Sequence, residues 1–309
     1  MGNTVKGKII KGVGGLYTVR VLDESSELCA KTVQCRAKGS FRHSGMTPLA
    51  GDDVTLLFED DGSSVISEIA ERRNSLIRPP LANLDYIFVT MAAAQPTPIL
   101  TTVDKLTAIA EHNNIEPVIV ITKADIAPSS AEEYAEIYRS SGFEVFVISS
   151  VTGKGVAELK EFVDTALVSK TAAFAGASGI GKSTLMNALF PHLSLVTSEI
   201  SRKIERGRHT TREVELFSLS DSLECGYLAD TPGFSMLDFE RFDFFSLEEL
   251  PHAFREFEER IGECRYTKCT HTKEVGCAIV DAVKRGEIPK SRHDSFLELY
   301  ITLKAKKKW

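Results

Sequence analysis

The stretch TAAFAGASGIGKSTLMNALF, residues 171–190, predicts the central fold of this chain. It begins as a buried strand of small apolar residues and ends as a helix. Between the two, residues 176–183 fit G-x-x-x-x-G-K-[ST] at every fixed position, a motif that becomes specific when a strand precedes it and a helix follows. The glycines let backbone N–H groups turn inward around an anion at the helix N-terminus. The stretch therefore predicts a nucleotide-phosphate site in an α/β sheet.

The residues of this loop have separate predicted roles. The Lys182 ammonium is expected to reach the β and γ phosphates, and the Ser183 hydroxyl to hold Mg²⁺. The alternative, a chance glycine-rich turn, is disfavoured by the flanking strand and helix. The residues predicted to surround the phosphates are Gly176, Ala177, Ser178, Gly179, Ile180, Gly181, Lys182, Ser183 and Thr184.

The sequence around this loop alternates between strands and helices from residue 83 onward. Runs such as PVIVIT (117–122) and EVFVIS (144–149) are continuous and rich in β-branched residues, and amphipathic segments separate them. This alternation indicates a mostly parallel sheet covered on both faces. Two further runs, TREVELFSL (211–219) and GYLAD (226–230), are predicted to complete the sheet.

Two segments downstream of the phosphate loop are predicted to face the metal and the γ phosphate. In GYLADTPGF, Asp230 ends an apolar strand and is expected to bind Mg²⁺ through water, and Gly233 to offer its N–H to the γ phosphate. In ERGRHTTREV, one of Thr210 and Thr211 is expected to close onto Mg²⁺ as a first switch. The sequence leaves open which threonine does so.

The segment ITKAD, residues 121–125, predicts a guanine site at the end of a strand, where open α/β sheets bind ligands. A carboxylate at Asp125 accepts two hydrogen bonds from guanine and leaves adenine unmatched, which discriminates by about 10⁴. The Lys123 stem can lie along the base, and Thr122 stands where Asn is more usual, so one bracing hydrogen bond stays open. A backbone N–H of Ser149 or Ser150 is expected to reach guanine O6. The predicted base-binding residues are Thr122, Lys123, Ala124, Asp125, Ser149 and Ser150.

The order of these motifs is unusual for a G protein. The base elements precede the phosphate loop, and the segment of residues 230–233 comes last, whereas the phosphate loop usually comes first. This order is a circular permutation, which a parallel sheet tolerates when surface termini lie close together. In this permuted order the second switch, residues 230–233, leads directly into the C-terminal region. A movement of the switch that depends on the γ phosphate is therefore expected to be transmitted to the C-terminal region.

The N-terminal part predicts a small barrel. KGKIIKGVGGLYTVRVL (6–22) alternates apolar and polar residues around Gly14-Gly15, a hairpin signal, and about five short strands fit before residue 69. An OB-fold is the simplest reading, and an SH3-like barrel stays an alternative. The predicted domains are a barrel at 1–68, a linker at 69–82, the permuted GTPase at 83–236, and an α-helical zinc-binding domain with a basic C-terminal helix at 237–309.

Four residues near the C-terminus predict a metal site. Cys264, Cys269, His271 and Cys277 offer three thiols and an imidazole within fourteen residues. Tetrahedral Zn²⁺ prefers such a set, and no ligand position is left open for catalysis, so the ion should be structural. Four unrelated buried residues are the alternative, and a disulfide fits poorly with a reducing compartment. Cys29, Cys35 and Cys225 are expected to be core residues within strands.

Composition and charge limit the function classes. The chain has 309 residues, 43% hydrophobic and 26% charged, with no run long enough to span a membrane and no signal-peptide pattern, which predicts a cytoplasmic protein. The net charge of −6 hides basic ends: residues 1–48 and residues 284–309 each hold eight basic and three acidic residues. Basic flanks suit a protein that grips a polyanion, although a solvated surface explains either end alone.

Together these features resemble the RsgA family of small-ribosomal-subunit-dependent, circularly permuted GTPases. The resemblance covers essentially the whole chain and rests on the barrel, the order TKAD, GASGIGKS, DTPGF, the GRHTT segment and the cysteine–histidine cluster. It implies binding of GTP and GDP, action in late maturation of the small (30S) subunit, hydrolysis stimulated by that subunit, and contacts to ribosomal RNA. Nothing in the sequence indicates more than a monomer.

Hydrolysis needs a positioned water, and the sequence points to one candidate group. Many G proteins have Gln after the second-switch glycine, but this chain has Phe234, which cannot orient water. His209, beside the switch threonines, is the candidate, and a phosphate contact, an RNA contact or a capping role are its alternatives. Two competing functions for the chain are a non-enzymatic rRNA-binding scaffold with GTP as a structural ligand, and a P-loop ATPase, which Asp125 argues against.

Overall fold

The computed structural model describes residues 4–43, 45–59, 62–191, 214–230 and 244–306. The chain forms two compact units. The first unit takes in residues 1–86, 162–174 and 190–234, and the second takes in residues 87–161, 175–189 and 235–309.

Five strands of the first unit close into a barrel. They follow the order β1-β2-β3-β5-β4, and β4 pairs back onto β1. All neighbours are antiparallel except β3 and β5, which is the OB arrangement rather than the SH3-like one. The barrel elements are β1 (Thr4–Val13), β2 (Leu16–Val21), β3 (Thr32–Ala37), the short helix α1 (Ser40–His43), β4 (Asp53–Phe58) and β5 (Ser64–Ile69).

The barrel forms because its strands alternate inward apolar and outward polar residues around tight turns. Gly14 and Gly15 have φ of 57° and 83°, the left-handed pair that a two-residue hairpin turn requires. Ile9, Val19 and Leu56 are fully buried in its core. Cys35 is a buried strand residue, as predicted. Cys225 is buried and Cys29 half-buried, but both lie outside the strands, so the expectation that all three are core residues within strands was wrong for these two.

Hydrogen bonds hold the segment of residues 70–85, between the barrel and the next strands, to its neighbours. It forms a two-stranded ribbon of β6 (Ser75–Leu76) and β7 (Leu81–Ala82). The Arg72 guanidinium donates to both carboxylate oxygens of the buried Asp52 at 2.7 and 2.8 Å, and the Asn74 amide exchanges two hydrogen bonds with the Leu84 backbone. The domain boundaries predicted at residues 68, 82 and 236 stay predictions.

Three more strands extend the barrel sheet within the first unit. β11 (Thr171–Ala175) lies parallel to β13 (Tyr227–Asp230), β13 is antiparallel to β12 (Glu215–Ser218), and β12 is antiparallel to β1. The strand order there is β11-β13-β12-β1. The barrel and the β12–β13 hairpin therefore share one sheet.

The base-motif strands and the helices that pack on them lie in the second unit. β9 and β10 are parallel, and β8 adjoins β9, as the alternating pattern predicts. Apolar residues of β9 from Val118 to Ile121 are fully buried because both faces of the strand are covered. The elements are β8 (Tyr86–Ala92), α2 (Leu100–His112), β9 (Glu116–Thr122), α3 (Pro128–Ser140), β10 (Glu144–Val147), α4 (Val156–Ala166), which runs on into the first unit, and α5 (Lys182–Leu189).

The C-terminal region of the second unit is helical, as predicted. Two 3₁₀ turns, Leu250–Ala253 and Arg255–Arg260, precede α6 (Ala278–Arg285) and α7 (Lys290–Lys306). The rings of Phe254, Phe257 and Phe296 pack together with centroids 5.1–5.5 Å apart. None of the described helices has the length and apolar character to cross a membrane.

Two arginines fasten this region to the helices of the sheet. Arg292 of α7 is fully buried, and its guanidinium bonds Asp104 of α2 and Glu256, each at 2.6 Å. Arg255 pairs with Glu111 and Glu116 and lies over the Phe143 ring, 4.4 Å from its centroid. The C-terminal region is thus anchored on α2 by a buried charge pair at Asp104 and a partly buried one at Glu111.

Candidate functional site

The predicted base motif contacts the phosphate loop within the second unit. Thr122 is buried, with 3% of the residue exposed. Its hydroxyl lies 2.5 Å from the Ile180 carbonyl and 3.2 Å from the Met91 carbonyl. A hydroxyl has one proton and donates it to the nearer acceptor. Thr122 therefore supplies the bracing hydrogen bond that the sequence left open.

Lys123 makes the second connection. Its φ of 57° turns the side chain out of the strand, and its ammonium donates to the Gly179 carbonyl at 2.8 Å and to the Gln95 carbonyl. Two loops that are far apart in the chain are thereby joined through one ammonium. The Gln95 carbonyl was not predicted, because a backbone acceptor leaves no signal in residue type.

The Asp125 carboxylate is exposed at the same turn, and it has no hydrogen-bond or ion-pair partner among residues that the structure describes. The neighbouring Ala124 N–H donates to the Ile148 carbonyl at 3.1 Å, which connects this turn to the loop after β10. In that loop the Ser149 N–H is already bonded to the Lys154 carbonyl at 2.9 Å. The Ser149 N–H is therefore already used, which leaves Ser150 as the candidate of the two predicted serines.

The phosphate loop has the backbone that its sequence predicts. Gly176 has φ of 142°, and a Cβ there would lie 2.2 Å from the Thr90 carbonyl, so only glycine fits. The Lys182 ammonium donates to the carbonyls of Gly176 and Ala177 at 2.5 and 2.7 Å, so it folds back over its own loop. Burial lowers the pKa of Lys182 to about 8.

Ser183 and Asp230, two of the residues predicted around Mg²⁺, are among the described residues. Ser183 lies half-buried in the first turn of α5, and its hydroxyl is the hard oxygen donor that Mg²⁺ prefers. Asp230 is the last residue of β13 in the first unit. His209, Thr210, Thr211, Gly233 and Phe234 lie outside the described residues.

The four predicted metal ligands converge in the second unit. Their donor atoms all lie within 4.8 Å of one another. The His271 Nδ1 atom lies 3.5 Å from the sulfurs of both Cys264 and Cys277, and these sulfurs are 3.8 Å apart. A tetrahedron with zinc bond lengths has edges of about 3.6 Å for S···N and about 3.8 Å for S···S. The cluster can therefore hold a metal ion with tetrahedral preference.

A shell of hydrogen bonds fixes these ligands. The Ala278 and Val280 N–H groups donate to the sulfurs of Cys264 and Cys277 at 3.4 and 3.5 Å. His293 Nε2 lies 2.8 Å from the His271 carbonyl. Burial raises the pKa of Cys269 to about 12, so a bound cation is needed to hold its thiolate.

Glu274 shapes the loop between the ligands, and sequence reasoning missed it. Its carboxylate accepts from the N–H groups of Thr270, Thr272 and Lys273 at 3.0–3.1 Å and from the Thr270 hydroxyl. Burial opposes the charge, but the hydrogen bonds led by that hydroxyl lower the pKa of Glu274 to about 2. Glu274 follows Thr270 and Thr272 and lies three residues before Cys277, but its residue type does not indicate which N–H groups it accepts.

Comparison with known proteins gives matches along most of the chain. The RsgA GTPase family model matches residues 69–240, and the RsgA N-terminal domain model matches residues 6–66. Small ribosomal subunit biogenesis GTPases RsgA from Bacillus pumilus and Bacillus subtilis are each 41% identical to it, over 307 and 308 residues, which is 98% of either chain in both cases.

Solved structures give the same family and fold. The crystal structure of YjeQ from Thermotoga maritima aligns with a TM-score of 0.80 and 31% identity, covering 97% of this chain and 99% of that one. YloQ, described as a circularly permuted GTPase, aligns with a TM-score of 0.77 and 36% identity, covering 99% of this chain and 97% of that one. The predicted family and the permuted fold are confirmed.

Proposed function

The chain belongs to the RsgA GTPase family and is a GTPase, and from this we propose that it binds the small ribosomal subunit during late maturation and hydrolyses GTP in response. The relatives from Bacillus are named for small-subunit biogenesis. The observation that carries the nucleotide part is the pair of hydrogen bonds from Thr122 and Lys123 to the phosphate loop, because they hold base motif and phosphate motif together.

In this proposal each described residue has a defined task. Asp125 accepts from guanine N1–H and the N2 amine, Ser150 N–H donates to O6, and Lys123 covers one face of the base. Lys182 exchanges its loop carbonyls for the β and γ phosphates. Mg²⁺, held by Ser183 and through water by Asp230, would neutralise charge that develops on the phosphates.

We assign the positioning of the attacking water to His209. The reason is chemical: Phe234 cannot orient water, and His209 adjoins the switch threonines in sequence. On this assignment intrinsic turnover is slow, and the bound subunit brings His209 toward the γ phosphate. His209→Ala should then abolish stimulated turnover and leave GDP affinity unchanged; full stimulation in the variant contradicts the assignment.

The remaining parts of the proposal concern partners and setting. Exposed basic residues at both ends contact ribosomal RNA, the cysteine–histidine cluster holds one structural Zn²⁺, and the protein works as a cytoplasmic monomer. The charge of the ends supports the RNA contacts, and the chemistry of the four ligands supports the zinc ion.

The deciding experiment is phosphate release from GTP, titrated with purified small ribosomal subunits. Strong stimulation that saturates is expected. Binding of subunits without any stimulation would favour the scaffold function instead, with GTP as a structural ligand.

The base assignment is tested by Asp125→Asn. The amide should weaken GTP binding on the order of 10⁴-fold and favour xanthosine triphosphate, whose 2-oxo group accepts a hydrogen bond where guanine donates one. Glu133→Gln, an exposed acid on α3 of the same unit, is the matched control. Unchanged GTP binding by Asp125→Asn would contradict the guanine site.

A further inference from the structure

His271, one of the four predicted metal ligands, has an uncommon backbone conformation. Its φ is 57°, in the left-handed region that residues with a Cβ seldom adopt. A residue persists there when the structure around it fixes the chain. The direction of the Cα–Cβ bond follows from the backbone, so this conformation also decides where the imidazole points. The His271 Nδ1 atom faces the sulfurs of Cys264 and Cys277, at 3.5 Å from each.

The carbonyl of His271 is held from outside the metal loop, by His293 of α7. The His293 Nε2 atom lies 2.8 Å from that carbonyl oxygen. A carbonyl oxygen can only accept, so Nε2 carries the proton and donates it. The neighbours Thr270 and Thr272 are instead held from within the loop, by the Glu274 carboxylate. The hydrogen bond from His293 is therefore a separate constraint on the backbone that aims this ligand.

His293 is itself fixed in place. The residue is buried, with 7% exposed. Its ring lies nearly parallel to that of Phe296, with an interplanar angle of 19° and centroids 6.0 Å apart. The adjacent Arg292 is fully buried, and its guanidinium bonds Asp104 of α2 at 2.6 Å. The first turn of α7 is thus held against α2, and from there the His293 imidazole reaches the metal loop.

We propose that His293 is a positioning residue for the metal cluster. Its hydrogen bond keeps the His271 backbone in the left-handed conformation that presents Nδ1 to the cation. The inference rests on the proposed Zn²⁺ site. Without this bond the His271 backbone is free to move toward conformations that a residue with a Cβ prefers, and the imidazole then leaves the fourth ligand position. Hydrogen-bond partners around metal ligands contribute about 10–100-fold to metal affinity.

The test uses the full chain and replaces the His293 imidazole by amides of different length. In His293→Gln the amide nitrogen stands near the place of Nε2 and can still donate, so the Zn²⁺ affinity should stay close to that of the wild type. In His293→Asn the side chain is too short, and in His293→Phe the donor is absent. The Zn²⁺ affinity of these two variants should fall about tenfold, measured by competition against a chelating indicator.

The matched control is His252→Phe, which replaces an exposed histidine of the same region. The His252 imidazole pairs with Glu258 and is 56% exposed in its side chain. Since it has no hydrogen bond to the metal loop, His252→Phe should bind Zn²⁺ as the wild type does.

Bound Co²⁺ gives a second readout, one that a general loss of stability does not change. The absorption of Co²⁺ in a tetrahedral site depends on its ligands. At saturating Co²⁺ the spectra of His293→Asn and His293→Phe should shift, because a water oxygen replaces the His271 nitrogen. The His293→Gln variant should keep the wild-type spectrum.

The outcomes separate the possible explanations. Wild-type affinity and spectrum in both His293→Asn and His293→Phe overturn the inference. Equal losses in all three His293 variants also overturn it, because the packing of the imidazole and not its hydrogen bond would then matter. If His293→Phe does not fold, the amide pair carries the test, and equal Zn²⁺ affinities of His293→Gln and His293→Asn overturn the inference. A wild-type protein that binds neither Zn²⁺ nor Co²⁺ would refute the proposed zinc site, and the inference with it.

Discussion

Thr122 replaces the asparagine that is common at this position of G proteins, and it still connects the base motif to the phosphate loop. An asparagine amide has two donors and an acceptor, whereas a threonine hydroxyl has one proton to give. The buried Thr122 spends that proton on the Ile180 carbonyl of the phosphate loop. One short, buried hydrogen bond therefore joins two motifs that are 58 residues apart in the chain.

Lys182 predicts a specific pH dependence of nucleotide binding. In the free protein burial lowers its pKa to about 8, and a bound phosphate would raise that pKa because the anion favours the ammonium. Below pH 8 the lysine is charged in both states, and this residue adds no pH dependence. Above pH 8 the free protein must take up a proton to bind, so GDP affinity should fall by up to about tenfold per pH unit.

The measurement is GDP affinity from pH 7 to about 8.5, a range in which guanine keeps most of its N1 proton. The Lys182→Arg variant keeps its positive charge over this range, so its GDP affinity should not fall as the pH rises above 8. Identical slopes in both proteins would show that another group titrates.

At the scale of elements, α7 depends on one buried charge cluster. Arg292→Met leaves the carboxylates of Asp104 and Glu256 buried without their partner, with side chains 1% and 4% exposed. Removing one member of a buried pair costs about 3–5 kcal/mol. Chemical denaturation should show that loss, and Lys290→Met, which removes an exposed pair with Asp294, should change stability by less than about 1 kcal/mol. Equal effects of the two variants would contradict the cluster's role.

The metal loop gives a second prediction at this scale. Glu274→Gln replaces a carboxylate that accepts three backbone N–H groups, so the loop between Cys269 and Cys277 should lose its fixed shape. The affinity for Zn²⁺ should fall about 10–100-fold. Competition against a chelating zinc indicator measures it, with the exposed Glu259→Gln as control. Wild-type affinity in Glu274→Gln would exclude the carboxylate as a support of the cluster.

At the scale of the whole molecule, the distribution of charge along the chain is more important for the proposed RNA contacts than the net charge. A chain with net charge −6 should be repelled by RNA, yet each end carries five more basic than acidic residues. The proposed binding of the subunit through those ends would release counterions, so six phosphate contacts would lose about 10³-fold in affinity between 50 and 200 mM salt. Subunit affinity across that range tests this, with GDP affinity over the same range as reference. A salt-independent subunit affinity would refute the RNA contacts.

The sequence alone determined the parts of this protein that depend on short stretches of chain. The phosphate loop, the hairpin at Gly14-Gly15 and the metal ligands were predictable because backbone angles and ligand spacing are set within a few residues. The motif order likewise revealed the permutation. Tertiary structure alone decided that Lys123 bonds Gly179, that Glu274 shapes the metal loop, and that His293 bonds the His271 carbonyl. Such contacts depend on how distant strands pack, and residue type carries no record of which carbonyl will face a given side chain.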